Sequence, residues 1–431
     1  GLYTNFSDIN RCFHMTGSYQ YLFRSFVVTY GIEDELRNGA TYDRLDAYYA
    51  ERSETPHEAN EMTGIFKGKN VMLFLLESID TWLLTEDYMP NLYALQQQGI
   101  SFENHYTPLF ISAGTFSTEF TVNTGLVAPT NGINNKAYST YCFPYSLANL
   151  FEHEGYTANS FHSSGPGIYS RGIIHENWGY EKYYCWSEMG MEDYQRDSEM
   201  INGYDIMVAP EKYFDFILTY SGHGPYTVAM DNISAGHWED VYRSVDPEKI
   251  PASGADLQEY YRAVAHAMET DAFIGELIAR LEADGRIDDT VLIFFSDHYC
   301  KYMTNTSLVM ELKDVENMDM LCRTPFFIYS KGGPTLSVNK LCSAMDIAPT
   351  IANLFDLDLN YAYYTGEDIF SDGGGYVIFR SLNWYDGDIY YTRDYEGEIT
   401  DYISARNKEV NERINASWDT LRSDYFARLV S

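Results

Sequence analysis

Residues 70–78 read NVMLFLLES, an apolar run that stops abruptly at Glu77. A strand that is apolar along its whole length is typical of a mostly parallel sheet whose two faces are both covered by helices. Helical stretches alternate with such runs from Asn70 onward, so the sequence predicts an α/β fold with a mostly parallel central sheet and helices on both faces. The other predicted strands are YFDFILTY at 213–220, TVLIFFS at 290–296 and PFFIYS at 325–330.

The segments around these runs predict how the chain is divided. Residues 257–285 have helical periodicity, with Gly285 as a C-cap. From about Gly374 the sequence is aromatic and alternating, which indicates a small antiparallel sheet, and a final helix is predicted near 409–429. We expect three parts: an N-terminal helical arm or linker at 1–66, with helix-like stretches at 17–31 and 34–54; a main α/β domain at 67–372; and a small sheet and helix at 373–431 that complete this domain.

The composition is strongly acidic, with a formal net charge of −34 at pH 7. The negative electrostatic field of such a chain repels nucleic acid and anionic membrane surfaces, so a nucleic-acid partner is not expected. An anionic substrate would need a bound cation or an Arg to reverse the field locally; the alternative is that the charge only solvates the surface. The 39 Tyr side chains suit contacts with sugars and lipid headgroups.

Six cysteines fit no CxxC pattern, and an even count permits disulfides without indicating a pairing. Cys300 lies two residues after His298, where a structural thiol is a better interpretation than a metal ligand. No run approaches the roughly 20 apolar residues of a membrane span. The first residues also lack the pattern of a signal peptide, so we expect any export signal or membrane anchor to lie outside this sequence.

Polar side chains follow two of the predicted strands at the point where each strand ends. Glu77 follows the first strand, and Asp297 and His298 follow the strand at 290–296. Ligands of open α/β sheets bind at the carboxyl ends of the strands. A carboxylate with an Asp-His pair offers oxygen and nitrogen ligands for Mn²⁺, Zn²⁺ or Mg²⁺. The alternative is a helix cap at Glu77 and a turn at Asp297 and His298.

A third element is ISAGTFSTEF at 111–120, where Thr115 follows a glycine at a predicted loop-to-helix junction. Thr115 could be an ordinary N-cap. It could also be a nucleophile, because N–H groups at a helix N-terminus bind phosphate oxygens and a nearby metal activates a hydroxyl. The two interpretations are compatible.

The order of these motifs resembles one known family. Glu77 after the first strand, Gly114-Thr115 with Glu119 four residues on, then SGHGPY and SDHY are similar to the extracellular catalytic domain of lipoteichoic acid synthases. These phosphoglycerol transferases belong to the alkaline phosphatase/sulfatase superfamily. The match runs from about residue 69 to 370. It implies a sulfatase-like catalytic α/β domain that moves glycerol phosphate from phosphatidylglycerol to an acceptor.

The resemblance also implies the site. One divalent metal, commonly Mn²⁺ in this family, would bind Glu77, Thr115, Asp297 and His298, with Thr115 as the nucleophile that forms a covalent phosphodiester. The segment FHSSGPGIYSR carries three more matching residues, and with a later histidine they would surround the glycerol phosphate. These residues are His162, Tyr169, Arg171 and His223.

Two positions depart from the family pattern. Ser164 stands where the synthases commonly have an Asp that contacts the glycerol hydroxyls, and Tyr169 stands where they have a Trp. Both positions touch the organic part of the substrate, so the reaction type is better defined than the donor headgroup. The side-chain chemistry of the other residues supports phosphate binding. Arg171 can donate two parallel hydrogen bonds to phosphate, and His162 and His223 can donate to phosphate or transfer a proton.

The expected activity is therefore transfer to a hydroxyl of lipoteichoic acid or a wall polysaccharide through phospho-Thr115. The alternatives are a phosphodiesterase or a phosphoethanolamine transferase of the same superfamily, and a catalytically silent binding module. A sulfatase would need a C/S-x-P-x-R motif, and TFSTE contains neither the Pro nor the Arg. By resemblance, membrane helices precede the domain and display it outside a Gram-positive type of cell.

Overall fold

The computed structural model describes residues 39–111, 114–129 and 135–430. Cys12 and the predicted helix at 17–31 lie outside these residues. The strands are β1 (Asn70–Leu76), β2 (Ile100–Phe102), β3 (His105–Tyr106), β4 (Thr157–His162), β5 (Lys182–Tyr184), β6 (Tyr213–Leu218), β7 (Thr290–Ser296), β8 (Phe326–Ser330), β9 (Leu336–Val338), β10 (Cys342–Ser343), β11 (Val377–Ile378), β12 (Trp384–Tyr385) and β13 (Tyr390–Tyr391).

The helices lie before, between and after these strands. They are α1 (Gly39–Ser53), α2 (Pro90–Gln98), α3 (Gly114–Thr124), α4 (Asn135–Thr140), α5 (Leu147–His153), α6 (Arg171–Asn177), α7 (Trp186–Met189), α8 (Tyr204–Met207), α9 (Asp231–Ser234), α10 (Trp238–Ser244), α11 (Gly254–Ala283), α12 (Thr306–Leu312), α13 (Ala344–Phe355) and α14 (Asp401–Ser423). No helix in the described ranges is both long enough and apolar enough to cross a membrane.

The central sheet confirms the predicted fold class. Within the described residues it has eight strands in the order β5-β4-β6-β1-β7-β8-β2-β9. Strands β5, β4, β6, β1 and β7 are mutually parallel, whereas β8 runs antiparallel to its neighbours β7 and β2. The predicted C-terminal sheet is confirmed as the antiparallel set β11-β12-β13.

Strand β1 shows why its sequence is apolar throughout. Side chains alternate between the two faces of a strand. Val71, Leu73 and Leu75 pack in one core with α3, α5 and α13, while Met72 and Phe74 pack in a second core with α2 and α11. Because each face of β1 packs in an apolar core, every position of the strand after Asn70 is buried.

The strand order brings four chain segments to one edge. The neighbours β4, β6, β1 and β7 run in the same direction, so their carboxyl ends meet there. Glu77 follows β1, and Asp297 and His298 follow β7, as the sequence predicts. His162 ends β4, and His223 lies in the loop after β6.

The observed strands and helices differ from the prediction in three places. Strand β4 was not predicted, because its sequence TANSFH is too polar to look like a buried run. The final helix α14 begins at Asp401 rather than near 409, since Thr400 caps it by accepting a hydrogen bond from the Ile403 N–H. Helix α11 ends at Ala283, and Gly285 has a positive φ of 68° that reverses the chain after it.

Helix α1, the first helix of the described residues, packs against α14 near the end of the chain. Arg44 pairs with Asp419 at 2.5 Å, and the Tyr49 and Thr420 hydroxyls share a buried hydrogen bond of 2.6 Å. The cysteines in the described part of the chain, Cys142, Cys185, Cys300, Cys322 and Cys342, are free thiols.

Asp215 is a buried carboxylate in the middle of β6, and neither of its oxygens has a hydrogen-bond partner among the described residues. Burial raises its pKa well above the ordinary value of 3.8. An acid with a higher pKa in the folded chain takes up a proton on folding. At pH values below the pKa of Asp215 in the unfolded chain, its ionisation therefore does not lower the free energy of unfolding. As pH rises from there toward the pKa in the folded chain, the free energy of unfolding falls.

We expect Asp215→Asn to raise the free energy of unfolding at pH 8 by about 1–3 kcal/mol, because Asn is equally buried but takes up no proton on folding, and each pKa unit of that uptake is worth about 1.4 kcal/mol. The gain should shrink toward pH 5. Denaturant unfolding at both pH values measures it, with the exposed Asp358→Asn as control. A gain that is equal at both pH values would show that Asp215 is not the titrating group.

Candidate active site

Three predicted ligands come together at the carboxyl edge of the sheet. Each of Glu77, Asp297 and His298 offers one ligand atom, and these atoms lie within 4.8 Å of one another. Asp297 Oδ2 is 3.0 Å from His298 Nε2, and Glu77 Oε1 is 3.6 Å from the same nitrogen. All three side chains are buried.

The atoms of this cluster fit a cation. His298 Nδ1 donates to the Tyr299 carbonyl at 2.8 Å, and burial lowers the pKa of His298 to about 4, so Nε2 carries a lone pair at neutral pH. Among the described residues neither Nε2 nor Asp297 Oδ2 has a hydrogen-bond partner. Two buried acceptor atoms 3.0 Å apart repel each other unless a positive charge lies between them.

Ser78 holds the two carboxylates in place. Its N–H donates to Asp297 Oδ1 at 2.8 Å, and its hydroxyl donates to Glu77 Oε1 at 2.8 Å. Ser78 has a positive φ of 56°, which turns the chain sharply after β1. Burial is the main cause of the raised pKa of both carboxyls, so the site holds acidic groups that a bound cation would stabilise.

Thr115 lies in the first turn of α3, a helix whose residues are all buried. Its hydroxyl donates to Glu77 Oε2 at 2.9 Å. Thr118, one turn later, donates to the Asp297 backbone carbonyl at 2.6 Å, which fixes the helix against the end of β7. An N-cap would instead accept a hydrogen bond from its own helix. The Thr115 hydroxyl is thus directed at the predicted metal ligands.

Close packing at Gly114 explains the glycine before Thr115. A Cβ built on Gly114 would lie 2.7 Å from His298 Cδ2 and 2.0 Å from Lys301 Nζ. Lys301 is therefore a site residue that the sequence analysis missed. Burial raises the pKa of Asp297, and the positive charge of Lys301 is one of the influences that oppose this rise.

Arg171 is held by a buried carboxylate. Its Nε and Nη2 donate to Glu119 at 2.9–3.1 Å, and Glu119 also bonds His175 Nε2 at 2.6 Å. Burial works against the charge of Glu119, but Arg171 and His175 outweigh it and lower the pKa of Glu119 to about 2. Glu119 therefore holds the Arg171 guanidinium in place. Arg171 Nη1 points to Ser164, 3.4 Å from its hydroxyl.

His162 is buried at the end of β4. Its Nδ1 donates to the Leu218 carbonyl at 3.0 Å. Burial, with a smaller influence from Arg171, lowers the pKa of His162 to about 3, so its ring is neutral at physiological pH and Nε2 is an acceptor. This geometry favours a bond from a substrate hydroxyl over donation to phosphate.

His223 is placed by the loop after β6. Its ring lies parallel to that of Tyr220, with centroids 5.6 Å apart, and 4.3 Å from that of Tyr302. Its Nδ1 donates to the Gly224 carbonyl, which leaves Nε2 for other partners. Asp197 anchors this loop by accepting from the Tyr220 N–H at 2.7 Å and the Ser221 N–H at 3.1 Å.

The side chains at the two departing positions lie beside Arg171. Tyr169 is 38% exposed, its ring stacks on Phe116 at 5.7 Å, and the Arg171 guanidinium lies 5.0 Å from its centroid. The Ser164 hydroxyl is 3.4 Å from the Tyr183 hydroxyl. Both are close to the guanidinium that is expected to bind phosphate.

Two further polar side chains lie outside the cluster of Glu77, Asp297 and His298. Arg323 donates to the Glu103 carbonyl at 2.8 and 3.1 Å, with no ligand of the cluster among its described partners. Cys300 is buried, and its sulfur is 2.9 Å from the Tyr226 hydroxyl. The supporting residues His175 and Tyr302 were missed, because their partners are distant in sequence and leave no local motif.

Comparison with known proteins agrees with this architecture. A family model described as Sulfatase matches residues 69–357, more than half of the chain. The lipoteichoic acid synthase LtaP from Listeria monocytogenes has a solved structure that superposes with a TM-score of 0.69 at 19% identity, covering 86% of this chain and 97% of that one. At this identity the likeness concerns the fold.

Two relatives found by sequence comparison are also named lipoteichoic acid synthases. The lipoteichoic acid synthase of Staphylococcus saprophyticus is 23% identical over 401 residues, which are 88% of this chain and 59% of the relative. Lipoteichoic acid synthase 2 of Bacillus subtilis is 24% identical over 362 residues, 78% of this chain and 52% of the relative. The chain thus spans less than two thirds of either relative's length. It belongs to the sulfatase family of the alkaline phosphatase/sulfatase superfamily, and the resemblance of its motifs to lipoteichoic acid synthases is confirmed.

Proposed function

We propose that this chain is the catalytic part of a metal-dependent phosphotransferase that moves glycerol phosphate from phosphatidylglycerol to an acceptor hydroxyl. The observation that carries the proposal is the hydrogen bond from the Thr115 hydroxyl to Glu77, beside two buried acceptor atoms that have no hydrogen-bond partner within the described chain. A nucleophile next to an electron-rich, cation-fitting cluster is the arrangement that phosphoryl transfer requires.

Glu77, Asp297, His298 and Thr115 would hold one divalent metal, with Mn²⁺ as the first candidate and Mg²⁺ or Zn²⁺ as alternatives. When bound, such an ion lowers the pKa of a coordinated hydroxyl and neutralises phosphate charge. The Thr115 oxygen then forms a bond to phosphorus, and the bond between phosphorus and the diacylglycerol oxygen breaks. An acceptor hydroxyl later attacks phospho-Thr115 and releases the threonine.

The surrounding side chains take separate roles in this reaction. Arg171, held by Glu119, presents Nη1 to a phosphate oxygen. His223, when both of its ring nitrogens are protonated, gives the Nε2 proton to the departing diacylglycerol oxygen and is left neutral with its proton on Nδ1. His162 accepts a hydrogen bond from a glycerol hydroxyl, since its Nδ1–H is already used.

Ser164 and Tyr169 define the part of the pocket that contacts the organic group. Ser164 replaces an ionic contact to glycerol hydroxyls with a neutral hydroxyl, and Tyr169 offers a smaller ring than Trp. Both changes leave Arg171 and the cluster unaltered. We therefore propose a lipid phosphodiester donor that resembles phosphatidylglycerol, and a polymer or sugar acceptor from lipoteichoic acid or a wall polysaccharide.

We propose that the reaction takes place on the extracellular face of the membrane of a Gram-positive type of cell, as the relatives' role in lipoteichoic acid synthesis suggests. Residues 67–372 would form the catalytic domain, 373–431 would complete it, and 1–66 would serve as an arm or linker. The packing of α1 on α14 supports close association of these parts.

A phosphodiesterase that uses water as acceptor is the second candidate, because the same phospho-Thr115 can be released by either nucleophile. Incubation with phosphatidylglycerol vesicles and Mn²⁺ separates the two. We expect diacylglycerol release that needs the metal, and glycerol phosphate found on an added glycolipid acceptor. Free glycerol phosphate at the same rate with and without acceptor would indicate a hydrolase.

The remaining alternative functions are tested by offering the protein other substrates under the same conditions. Release of diacylglycerol from phosphatidylethanolamine but not from phosphatidylglycerol would indicate a phosphoethanolamine transferase. Turnover of an aryl sulfate would contradict the argument from the missing C/S-x-P-x-R motif. A protein that binds no Mn²⁺ and turns over none of these compounds would be a silent binding module.

A further inference from the structure

Lys301 occupies a position that the proposed mechanism does not use. It lies in the loop after β7, and its Nζ would be 2.0 Å from a Cβ on Gly114, the residue before Thr115. The same Cβ would be 2.7 Å from the His298 ring, so the ammonium and the imidazole pack against one side of the Gly114 backbone. A lysine is thus placed beside both the nucleophile and a metal ligand.

The ammonium of Lys301 has no anionic partner among the described residues. No carboxylate of the described chain lies within 4 Å of Nζ, and no hydrogen bond engages it. Nζ lies 5.0 Å from the centroid of the Tyr302 ring, a contact that carries no negative charge. A lysine ammonium has three donors, and partly buried donors are normally satisfied. In a chain with a net charge of −34, an unpaired cation at the site is unexpected.

The charges of the site show what this cation could balance. Glu77 and Asp297 together offset a divalent ion. Arg171 is offset by Glu119, whose carboxylate it holds in a buried ion pair at 2.9 Å. Within the part of the chain that the structure describes, Lys301 then leaves a single positive charge uncompensated. A phosphodiester carries a single negative charge, so the two match.

We propose that Lys301 binds a non-bridging phosphate oxygen of the donor phosphodiester, and of the phosphodiester that forms on Thr115. The inference rests on the proposed function and adds a substrate-binding residue to it. Arg171 Nη1 approaches from the side of Ser164, and Lys301 from the side of Gly114 and His298. The phosphate would be held between the two cations, with Lys301 as the one that no carboxylate neutralises.

The proposal predicts two effects of opposite sign. Lys301→Met keeps the length of the side chain but removes its charge. Loss of a charge-assisted hydrogen bond should weaken binding of phosphate and glycerol phosphate about 10-fold or more. The same change removes a positive charge beside the metal ligands, so Mn²⁺ should bind as well as before or more tightly. If Lys301 had only a structural role, its replacement would not lower the affinity for phosphate while leaving the affinity for Mn²⁺ unchanged or higher.

Calorimetric titration of the purified protein tests this. Mn²⁺ is titrated first, and inorganic phosphate and glycerol phosphate are titrated into the Mn²⁺-loaded protein at fixed ionic strength. Lys301→Arg should restore most of the phosphate affinity, because it restores the charge. Lys331→Met is the matched control, since Lys331 lies on the surface and pairs with Asp288 at 3.1 Å. It should leave both affinities unchanged.

Each result decides the inference. Unchanged affinity for both phosphate ligands in Lys301→Met would overturn it, as would a parallel fall of Mn²⁺ affinity and of the unfolding midpoint. Failure of the proposed function is recognised separately, by wild-type protein that binds no Mn²⁺ or leaves Thr115 unlabelled by phosphatidylglycerol. Inorganic phosphate titrated into the metal-free wild type and Lys301→Met still reports on Lys301 in that case.

Discussion

Thr115→Ala is expected to lower the rate of diacylglycerol release from phosphatidylglycerol by at least about 10⁴-fold, because removal of a covalent nucleophile leaves only binding and electrostatics. The hydroxyl is directed at Glu77 at 2.9 Å, which places it beside the proposed metal ligands. The measurement is diacylglycerol release per mole of Mn²⁺-loaded protein.

Thr121→Ala is the matched control for this change. Thr121 lies on the same buried helix, but its hydroxyl donates to the Ser117 carbonyl of that helix at 3.0 Å and takes no part in the site. It should keep near wild-type activity. An unfolding midpoint of Thr115→Ala close to that of the wild type would exclude a folding defect. Turnover by Thr115→Ala within 10-fold of wild type would remove Thr115 from the mechanism.

Asp297→Asn is expected to weaken Mn²⁺ binding by more than about 100-fold, since even groups behind the metal ligands change affinity by roughly 10–100-fold. The substitution keeps the shape of the side chain and its bond from the Ser78 N–H, but removes a negative charge from a cluster whose Oδ2 has no partner among the described residues. Activity should fall in proportion to the lost metal.

Asp215→Asn is the matched control, because Asp215 is also a buried carboxylate without a hydrogen-bond partner among the described residues, on the neighbouring strand β6. It lies within the sheet rather than at its edge, and should leave Mn²⁺ affinity unchanged. Metal content after dialysis against Mn²⁺, measured by inductively coupled plasma spectrometry, compares the two. Stoichiometric Mn²⁺ in Asp297→Asn would exclude Asp297 as a ligand.

Sequence reasoning was sufficient for the sheet and for bringing Glu77, Asp297 and His298 together, because both depend on local patterns. The apolar runs at β1 and β7 identify buried strands, and parallel strands end at the same edge. Glu77 and Asp297, 220 residues apart in the chain, could therefore be placed together from strand ends alone.

Strand β4 could not be predicted in this way. Its buried residues include Asn159 and Ser160, and the Ser160 hydroxyl is satisfied by His175 at 2.8 Å. A polar residue in a core is acceptable only when such a partner exists, and the partner is set by the tertiary fold. His162 at the end of β4 was accordingly expected from family resemblance, without a strand pattern to support it.

The polar network of the site depended even more on tertiary contacts. Glu119 and Arg171 are 52 positions apart in sequence, and nothing local indicates that one neutralises the other. Lys301 follows an Asp-His pair in a polar loop, where a solvent-exposed lysine is the ordinary expectation. Only the close approach of Gly114 shows that it belongs to the site.

The central claim is that glycerol phosphate passes through a covalent bond to Thr115. Its most direct test is peptide mass spectrometry of the Mn²⁺-loaded protein, quenched in acid during turnover of phosphatidylglycerol without an acceptor. We expect the peptide that contains Thr115 to gain the mass of one glycerophosphoryl group, and to lose it when acceptor is added before the quench. Continued turnover with Thr115 unmodified, or with the group on another residue, would contradict the claim.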